Sequence, residues 1–371
     1  MATETSTGSG PASRRERWLW WVDGQLATVC LGSVLIILAC GLAQVTFGAY
    51  KMTVSQAWQT VLDPDILFNF EVMKSLFFGE PVHGLSSSGS IIWNGRLPRV
   101  FVAILVGMNL SVSGAIFQAI TRNELASPFI LGVSSGAGLM ILVVLVVFPG
   151  MLMLLPIFAA VGGAGAFLLV YAIAWKNGTS PVRLILAGTI VGTIFGSVQS
   201  GLFFFAEDIT IIQSAMQWTK GSLVGAGWAQ VRMALPFTGI CILLSLVSSR
   251  QLNVLLLGED TAGSLGMNVE RVRFAMAGIA VLSAAASITV AGLVGFVGLI
   301  VPHVVRNIVG SEYKKLIIGC VFAGPAMMVA ADVGARLALS PVQIPVGIVT
   351  GLIGGPYFLY LMRKKEKLGE L

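Results

Sequence analysis

The sequence predicts an all-α, polytopic membrane protein: about ten transmembrane helices in two inverted five-helix halves, with a short helical segment on the cytoplasmic side. Three observations carry this. The 371 residues are 56% hydrophobic and 11% charged, with a mean hydropathy of +0.88, whereas a soluble domain carries about 25% charged residues. Apolar runs of around 20 residues recur, each able to cross roughly 30 Å of hydrocarbon as a helix, the one open structure that satisfies its own backbone there. The net charge of +6 gathers at segment ends, with Arg14, Arg15 and Arg17 before the first run and Arg363, Lys364, Lys365 and Lys367 after the last. Such clusters favour the cytoplasmic side, so both termini are expected inside and the number of crossings is even. The excess charge is therefore not a nucleic-acid signal.

Residues 1–17 are expected to form a disordered cytoplasmic tail, Ser-, Thr- and Gly-rich over 1–13, ahead of a single transmembrane domain over 18–365 with halves of about 18–225 and 226–365. Span one lies in about 24–47; with no cleavage site behind it, it reads as a retained helix. Lys51 to Trp93 is of mixed polarity, with Asp63, Asp65, Glu71, Glu80 and His83, and is external by parity. Arg96 and Arg99 bracket the outer start of span two, and Arg122 marks its inner end. The charge-free run 125–175 is too long for one helix; Pro149-Gly150 cuts it into spans three and four, which end at an inner turn over 175–178. Span five, about 183–205, leads to the external Glu207-Asp208 pair and to an interfacial helix over 209–219 anchored by Ile212, Met216 and Trp218. Span six is roughly 229–249.

The largest polar interruption of the second half follows, over 250–273. Gly258 breaks the apolar Val254–Leu257, Glu259 and Asp260 open a short helix at its positive end, and Ala262, Leu265 and Met267 offer a small apolar face broken by Gly263 and Gly266. Asn268 is the expected N-cap of the next helix, with Glu270 in its first turn. An ordinary amphipathic surface loop fits the same pattern. The uncharged run 274–302 exceeds one span, and Gly292, Gly295 and Gly298 divide it into span seven and a close-packed span eight ending near residues 306–315. Span nine is about 316–336 and span ten about 342–362.

Spans five and ten carry matched glycine stripes, Gly188, Gly192 and Gly196 against Gly347, Gly351 and Gly355. Small residues every fourth position let helices approach closely and leave room beside a pore. Plain packing accounts for each stripe alone; their equivalent places in two oppositely running halves point to an inverted repeat around a lined pathway.

Catalytic chemistry is missing from the chain. No GxxxxGKS or GxxxxGKT cradles a nucleotide, no HExxH or GxSxG occurs, and no carboxylate pair sits inside a span. His303 has no acidic or cysteine partner at ligand spacing, and Cys30, Cys40, Cys241 and Cys320 form no CxxC, so no metal site is expected. Ion-coupled carriers usually place ionisable groups in mid-span. A pathway driven by energy from elsewhere remains, with an ion-coupled secondary carrier as the alternative of a different class.

Several motifs then match a known family. R-L-P-R at 96–99, S-G-A-I-F-Q at 113–118, L-G-V-S-S-G-A at 131–137, L-G-E-D-T-A at 257–262, G-F-V-G-L-I-V-P-H at 295–303, A-D-V-G-A-R-L-A-L at 331–339 and I-P-V-G-I-V-T at 344–350 run in order through the chain. Over about 24–365 it resembles the permease subunits of type II ABC importers, which take up ferric siderophores, haem and vitamin B12. The resemblance implies ten helices and a multi-pass plasma (inner) membrane subunit that is not an enzyme. Its implied partners are a second permease subunit (an identical or a related copy), two ATPase subunits that bind ATP and Mg²⁺, an extracytoplasmic substrate-binding protein and membrane lipid. It gives Arg96, Arg99 and Arg336 the role of receiving an acidic lobe of the binding protein, for which forked guanidinium–carboxylate contacts are suited; interfacial anchoring, or an i, i+4 pair of Arg336 with Asp332, is the simpler account. It gives Leu257, Gly258, Glu259, Ala262, Leu265 and Gly266 the role of contacting the ATPase, and spans five and ten that of lining the pathway. The implied function is alternating-access import of an iron(III)-siderophore chelate, with haem or vitamin B12 as alternatives. Two departures stand out: Glu124 where the family commonly has Pro after Arg-Asn, and Gln343 where it commonly has Glu.

Overall fold

The computed structural model describes residues 23–48, 52–61, 74, 87–129, 131–176, 178–205 and 209–367. The expectations for the N-terminal tail with its three arginines, for His83 and for Glu207-Asp208 lie outside these residues. The described chain is helical throughout: α1 (Gly24–Thr46), α2 (Val54–Val61), α3 (Ser87–Ile91), a π-helical turn (Ile92–Arg96), α4 (Leu97–Thr121), α5 (Val133–Val147), α6 (Leu155–Ala174), α7 (Pro181–Leu202), α8 (Ile209–Lys220), α9 (Trp228–Val247), α10 (Ser249–Leu256), α11 (Glu259–Ser264), α12 (Val269–Ala291), α13 (Val297–Val309), α14 (Tyr313–Leu337) and α15 (Val346–Lys367). Among the described residues seven helices are long and apolar enough to cross a membrane, and α5, α13 and the apolar part of α15 are shorter. Together these are the ten helices the sequence predicts.

Local chemistry explains the boundaries. Asp23 caps α1 by accepting the Leu26 N–H at 2.9 Å. Lys315 Nζ lies 2.8 Å from the same carboxylate, and these contacts hold Asp23 below the usual carboxylate range. Ser180 caps α7, with Pro181 at its first position. Asn268 caps α12 by accepting the Arg271 N–H at 3.0 Å, as the sequence suggests. The run 274–302 breaks over Gly292–Phe296, so Gly298 belongs inside α13 rather than to the break. α15 begins at Val346, four residues later than expected, because turns over 338–345 and Pro345 keep the preceding backbone out of helix.

One backbone feature recurs at matching places in the two expected halves. The third helix of each half starts just after a left-handed residue, Gly132 (φ 74°) before α5 and Phe296 (φ 68°) before α13. The Phe296 conformation costs a non-glycine residue energy, and its ring packs where Gly354 leaves no side chain. The α12–α13 break is also stitched to its neighbours: Leu293 N–H donates to the Trp218 carbonyl (2.9 Å), Ser222 N–H to Ala291 (2.8 Å) and Gly347 N–H to Gly221 (3.1 Å). The end of α8, the break and the start of α15 are therefore tied together through their backbones.

α4 occupies the centre. In the span containing it, 83% of the most apolar window is buried, against 22% for α7. It packs on α14, α12, α9 and α13. A Cβ at Gly107 would collide with the Gly324 carbonyl of α14, and one at Gly114 with the Gly298 carbonyl of α13. Overpacking such a crossing costs roughly 1–3 kcal/mol. Gly114→Ala should therefore lower thermal stability in detergent by about that amount, whereas Gly239→Ala on α9, with open space around it, should be neutral or slightly stabilising because Ala favours helix by up to ~1 kcal/mol. Equal melting temperatures for the two variants would contradict this packing.

Candidate functional site

Polar side chains gather at the two opposite ends of the bundle. At one end the π-helical turn and α4 bring Arg96 and Arg99 to α14 and the last residues of α1. Arg99 forks onto Asp332, Nε to Oδ2 and Nη2 to Oδ1, both at 2.8 Å, and its Nη1 donates to Gln343 Oε1 at 2.5 Å. Gln44 Nε2 also donates to Asp332. Arg96 Nη1 donates to the Val45 and Thr46 carbonyls at 2.5 and 2.9 Å, satisfying the C-terminal turn of α1, and Arg336 Nη1 donates to the Gln44 carbonyl at 2.8 Å.

Arg96 and Arg99 are therefore buried, at 3% and 6% exposure, and Arg336 is half-buried. Asp332 bonds to Arg99 and Gln44, so the simpler i, i+4 account of Arg336 is not the arrangement found. All three guanidiniums, with Asn94 and Gln343, line one cavity of about 380 Å³. The departure at Gln343 now has a physical meaning, since its amide oxygen takes a guanidinium hydrogen bond that a carboxylate would take with charge.

At the other end lies the 250–273 stretch. Gly258 (φ 107°) and Gly266 (φ 81°) let the chain turn sharply on both sides of α11. Leu257 and Leu265 are 60% and 64% exposed and stand on either side of α11. Ala262 is fully buried against the chain's own helices, so it presents nothing to a partner. Glu259 is partly turned inward, where its Oε1 accepts from Arg273 Nη2 at 2.6 Å. The α10 side is fastened separately, with Asn253 Oδ1 accepting the Tyr313 N–H at 2.8 Å.

Arg273, Glu270, Tyr171 and Thr179 are the residues that sequence reasoning missed. Arg273 is 1% exposed. Its Nη1 donates to the Thr179 carbonyl (2.6 Å) and lies 3.4 Å from Glu270. Glu270 in turn accepts from Tyr171 OH and from Thr179 Oγ1 (2.8 Å). Arg273 borders the uncharged run 274–302 with Glu270 three residues before it on the same helix, and that i, i+3 pair was the available signal. Nearby, Glu124 lies 3.7 Å from both His303 and Arg306 of α13, so the Pro-to-Glu departure replaces a stiff turn with an electrostatic tie. The turn itself is held by Asn123 Oδ1, which accepts the Leu125 N–H at 2.9 Å.

The glycine stripes divide. Gly188 is buried and Gly347 packs on the Lys220 carbonyl, whereas a Cβ at Gly196, Gly351 or Gly355 would meet open space and one at Gly192 would meet only Ser135 Oγ at 3.7 Å. The close-packing register of α15 is Gly347 with Gly354. Beside Gly196 the exposed face of α7 carries Thr189, Thr193, Ser197 and Ser200, each hydroxyl donating to the carbonyl four residues earlier at 2.9–3.0 Å.

Comparisons with known proteins agree with this architecture. Residues 35–364 match the FecCD transport family. The chain is 41% identical over 278 residues to the Fe(3+)-citrate import system permease protein YfmD of Bacillus subtilis, covering 75% of this chain and 83% of the relative. It is also 41% identical over 294 residues to the cobalamin import system permease protein BtuC of Halobacterium salinarum, covering 78% and 77%. A solved inward-facing structure of the metal-chelate type of ABC transporter superposes with a TM-score of 0.77 at 28% identity, covering 91% of this chain and 99% of that one.

The Arg99–Asp332 pair yields a test. Breaking a buried ion pair costs roughly 3–5 kcal/mol because one charge is stranded. Arg99→Ala should destabilise the protein on that scale, and Arg99→Met combined with Asp332→Leu should recover much of the loss in thermal unfolding. A double variant no better than the single one would show that the pair is not the stabilising unit.

Proposed function

The chain belongs to the FecCD transport family, and from that premise we propose that it is the membrane permease of an ABC importer carrying an iron(III)-siderophore chelate from an extracytoplasmic binding protein to the cytoplasm. The observation that carries the reading is the pairing, in one bundle, of an arginine-lined cavity at one end with two exposed leucines around a glycine-hinged helix at the other. On this reading the arginine end faces out and the α10–α11 end faces the cytoplasm, with both termini there, as the flanking cations require.

Two ATPase subunits that bind ATP and Mg²⁺ grip α11 through Leu257 and Leu265. A second permease copy, identical or related, packs beside α7 and α15, and the open faces of these helices line the pathway between the copies. Hydroxyls already bonded to their own helix offer a cargo only weak contacts, which suits a path whose affinity resides in the binding protein. Closure of the ATPases displaces α11 and tilts the helices around the pathway, giving alternating access. Equal identity to relatives named for ferric citrate and for cobalamin supports a second reading, in which the cargo is a corrinoid.

Uptake decides between them. Proteoliposomes of the full complex should accumulate ⁵⁵Fe-siderophore with ATP and not with a cation gradient; accumulation of labelled cobalamin alone would select the second reading, and ionophore-sensitive uptake without ATP would sink the importer altogether. Leu257→Asp with Leu265→Asp should weaken ATPase attachment at least about tenfold, the scale of an interface hot spot, as read by co-purification.

The cavity arginines lead to a kinetic expectation. Arg336, the most accessible of the three, meets an acidic lobe first. Arg336→Glu should slow binding-protein association, and the effect should shrink as salt rises through a Debye length of ~10 Å at 0.1 M. A salt-independent association rate would reduce these arginines to anchors.

A further inference from the structure

Glu259 is the first residue of α11, and Ser180 caps α7, a helix assigned above to the pathway. Between them stands one side chain. Arg273 Nη2 holds Glu259 Oε1 at 2.6 Å, and its Nη1 holds the Thr179 carbonyl at 2.6 Å and Thr179 Oγ1 at 3.1 Å, one residue before the α7 cap. Glu270 closes the ring, lying 3.4 Å from Arg273 Nη1 and accepting the Thr179 N–H at 3.2 Å and its hydroxyl at 2.8 Å. Tyr171, near the end of α6, donates to the same carboxylate.

We propose that Arg273 is a positioning residue that transmits displacement of α11 to the start of α7. The inference rests on the reading of α11 as the ATPase contact. Three features support it. First, the guanidinium is a planar fork whose two nitrogens are committed to different elements, so moving one partner drags the other. Second, its burial at 1% exposure keeps water from substituting for either partner, which strengthens both bonds. Third, the alternative fastening of the segment leads elsewhere: Asn253 ties α10 to the first residue of α14, and Leu252 and Leu255 bury α10 in the core. The Arg273 hydrogen bonds instead lead from α11 to Thr179, directly before the α7 cap. The carboxylates on either side are not equivalent. Glu270 belongs to α12 itself and fixes the guanidinium in place, while Glu259 rides on the element that moves.

Lysine supplies the charge but not the fork. Arg273→Lys should therefore fold and hold the ATPase yet transmit poorly. Glu259→Gln, at a partly exposed position, leaves the buried cation in place and weakens only the α11 side. The experiment uses the full complex in nanodiscs, with the four native cysteines replaced by Ser and spin labels at the exposed positions Leu35 on α1 and Val198 on α7. The label distance is compared with and without ATP and vanadate, beside ATP hydrolysis and uptake. In the unsubstituted complex the distance should shift with ATP. In Arg273→Lys hydrolysis should persist, and in Arg273→Lys and Glu259→Gln alike the fraction of molecules showing the shifted distance and the uptake per ATP hydrolysed should fall together by about tenfold, the scale of a coupling network. Variants that keep both the shift and the uptake overturn the inference and leave the ATPase contact standing. An unsubstituted complex whose distance ignores ATP overturns the contact reading itself, and this inference with it.

Discussion

The structure depends on one constraint: a helix as buried as α4 has no solvent to satisfy its polar side chains or to drive its packing. In an apolar medium neighbouring helices gain nothing from hydrophobic exclusion, so shape and internal hydrogen bonds must hold them together. α4 meets both demands. Its glycines admit α14 and α13 to backbone contact. Its polar side chains are spent on its neighbours: Asn109 Nδ2 donates to Thr238 of α9 (2.6 Å) and its Oδ1 accepts from Ser283 of α12 (3.0 Å), while Ser111 and Ser113 donate to carbonyls of α14 and α12 at 2.9 and 2.7 Å. Four helices are thereby held in register on one axis. The outer ring of α1, α6, α7 and α9 is left to face lipid or another chain.

Much of the fold is legible in the sequence because lipid imposes a length and a composition on every span. Asn268 announces its cap, Pro149-Gly150 its turn, and the charge-free 209–219 run its helix, since each signal is local. The hidden part is non-local. Arg99 and Asp332 are 233 residues apart and meet only because α4 and α14 cross at glycines. Arg273 and Thr179 are 94 apart. A sequence reader sees these arginines as span-end charges, the commonest reason for a cation at a membrane edge, and the family resemblance assigns Arg96, Arg99 and Arg336 to a partner outside the chain. The structure turns Arg96 and Arg99 inward and gives Arg99 an internal carboxylate.

The glycine stripes show the same limit more finely. Spacing of four residues identifies a face but not its occupant. In α15 the residues that touch are Gly347 and Gly354, seven apart, while Gly351 between them and Gly355 beyond them meet open space. Close packing and open space thus alternate along one helix, position by position.

The two ends of the bundle solve opposite problems with the same chemistry. At the arginine end, forked hydrogen bonds fix the ends of α1, α4 and α14 around a cavity, so rigidity is what they supply. At the α11 end the fork joins two elements with few other ties to each other, and there rigidity becomes transmission. A bond of given strength does either task according to what else holds its partners. α14 is bound along its whole length, so tightening Asp332 changes little beyond local order. α11 is six residues long, hinged by glycines on both sides, and its chief polar link to the rest of the chain is Arg273. α7, only 22% buried over its apolar window, begins just after the Thr179 that Arg273 holds. A link between a hinged element and a loosely packed one is where a push arrives as movement rather than as strain.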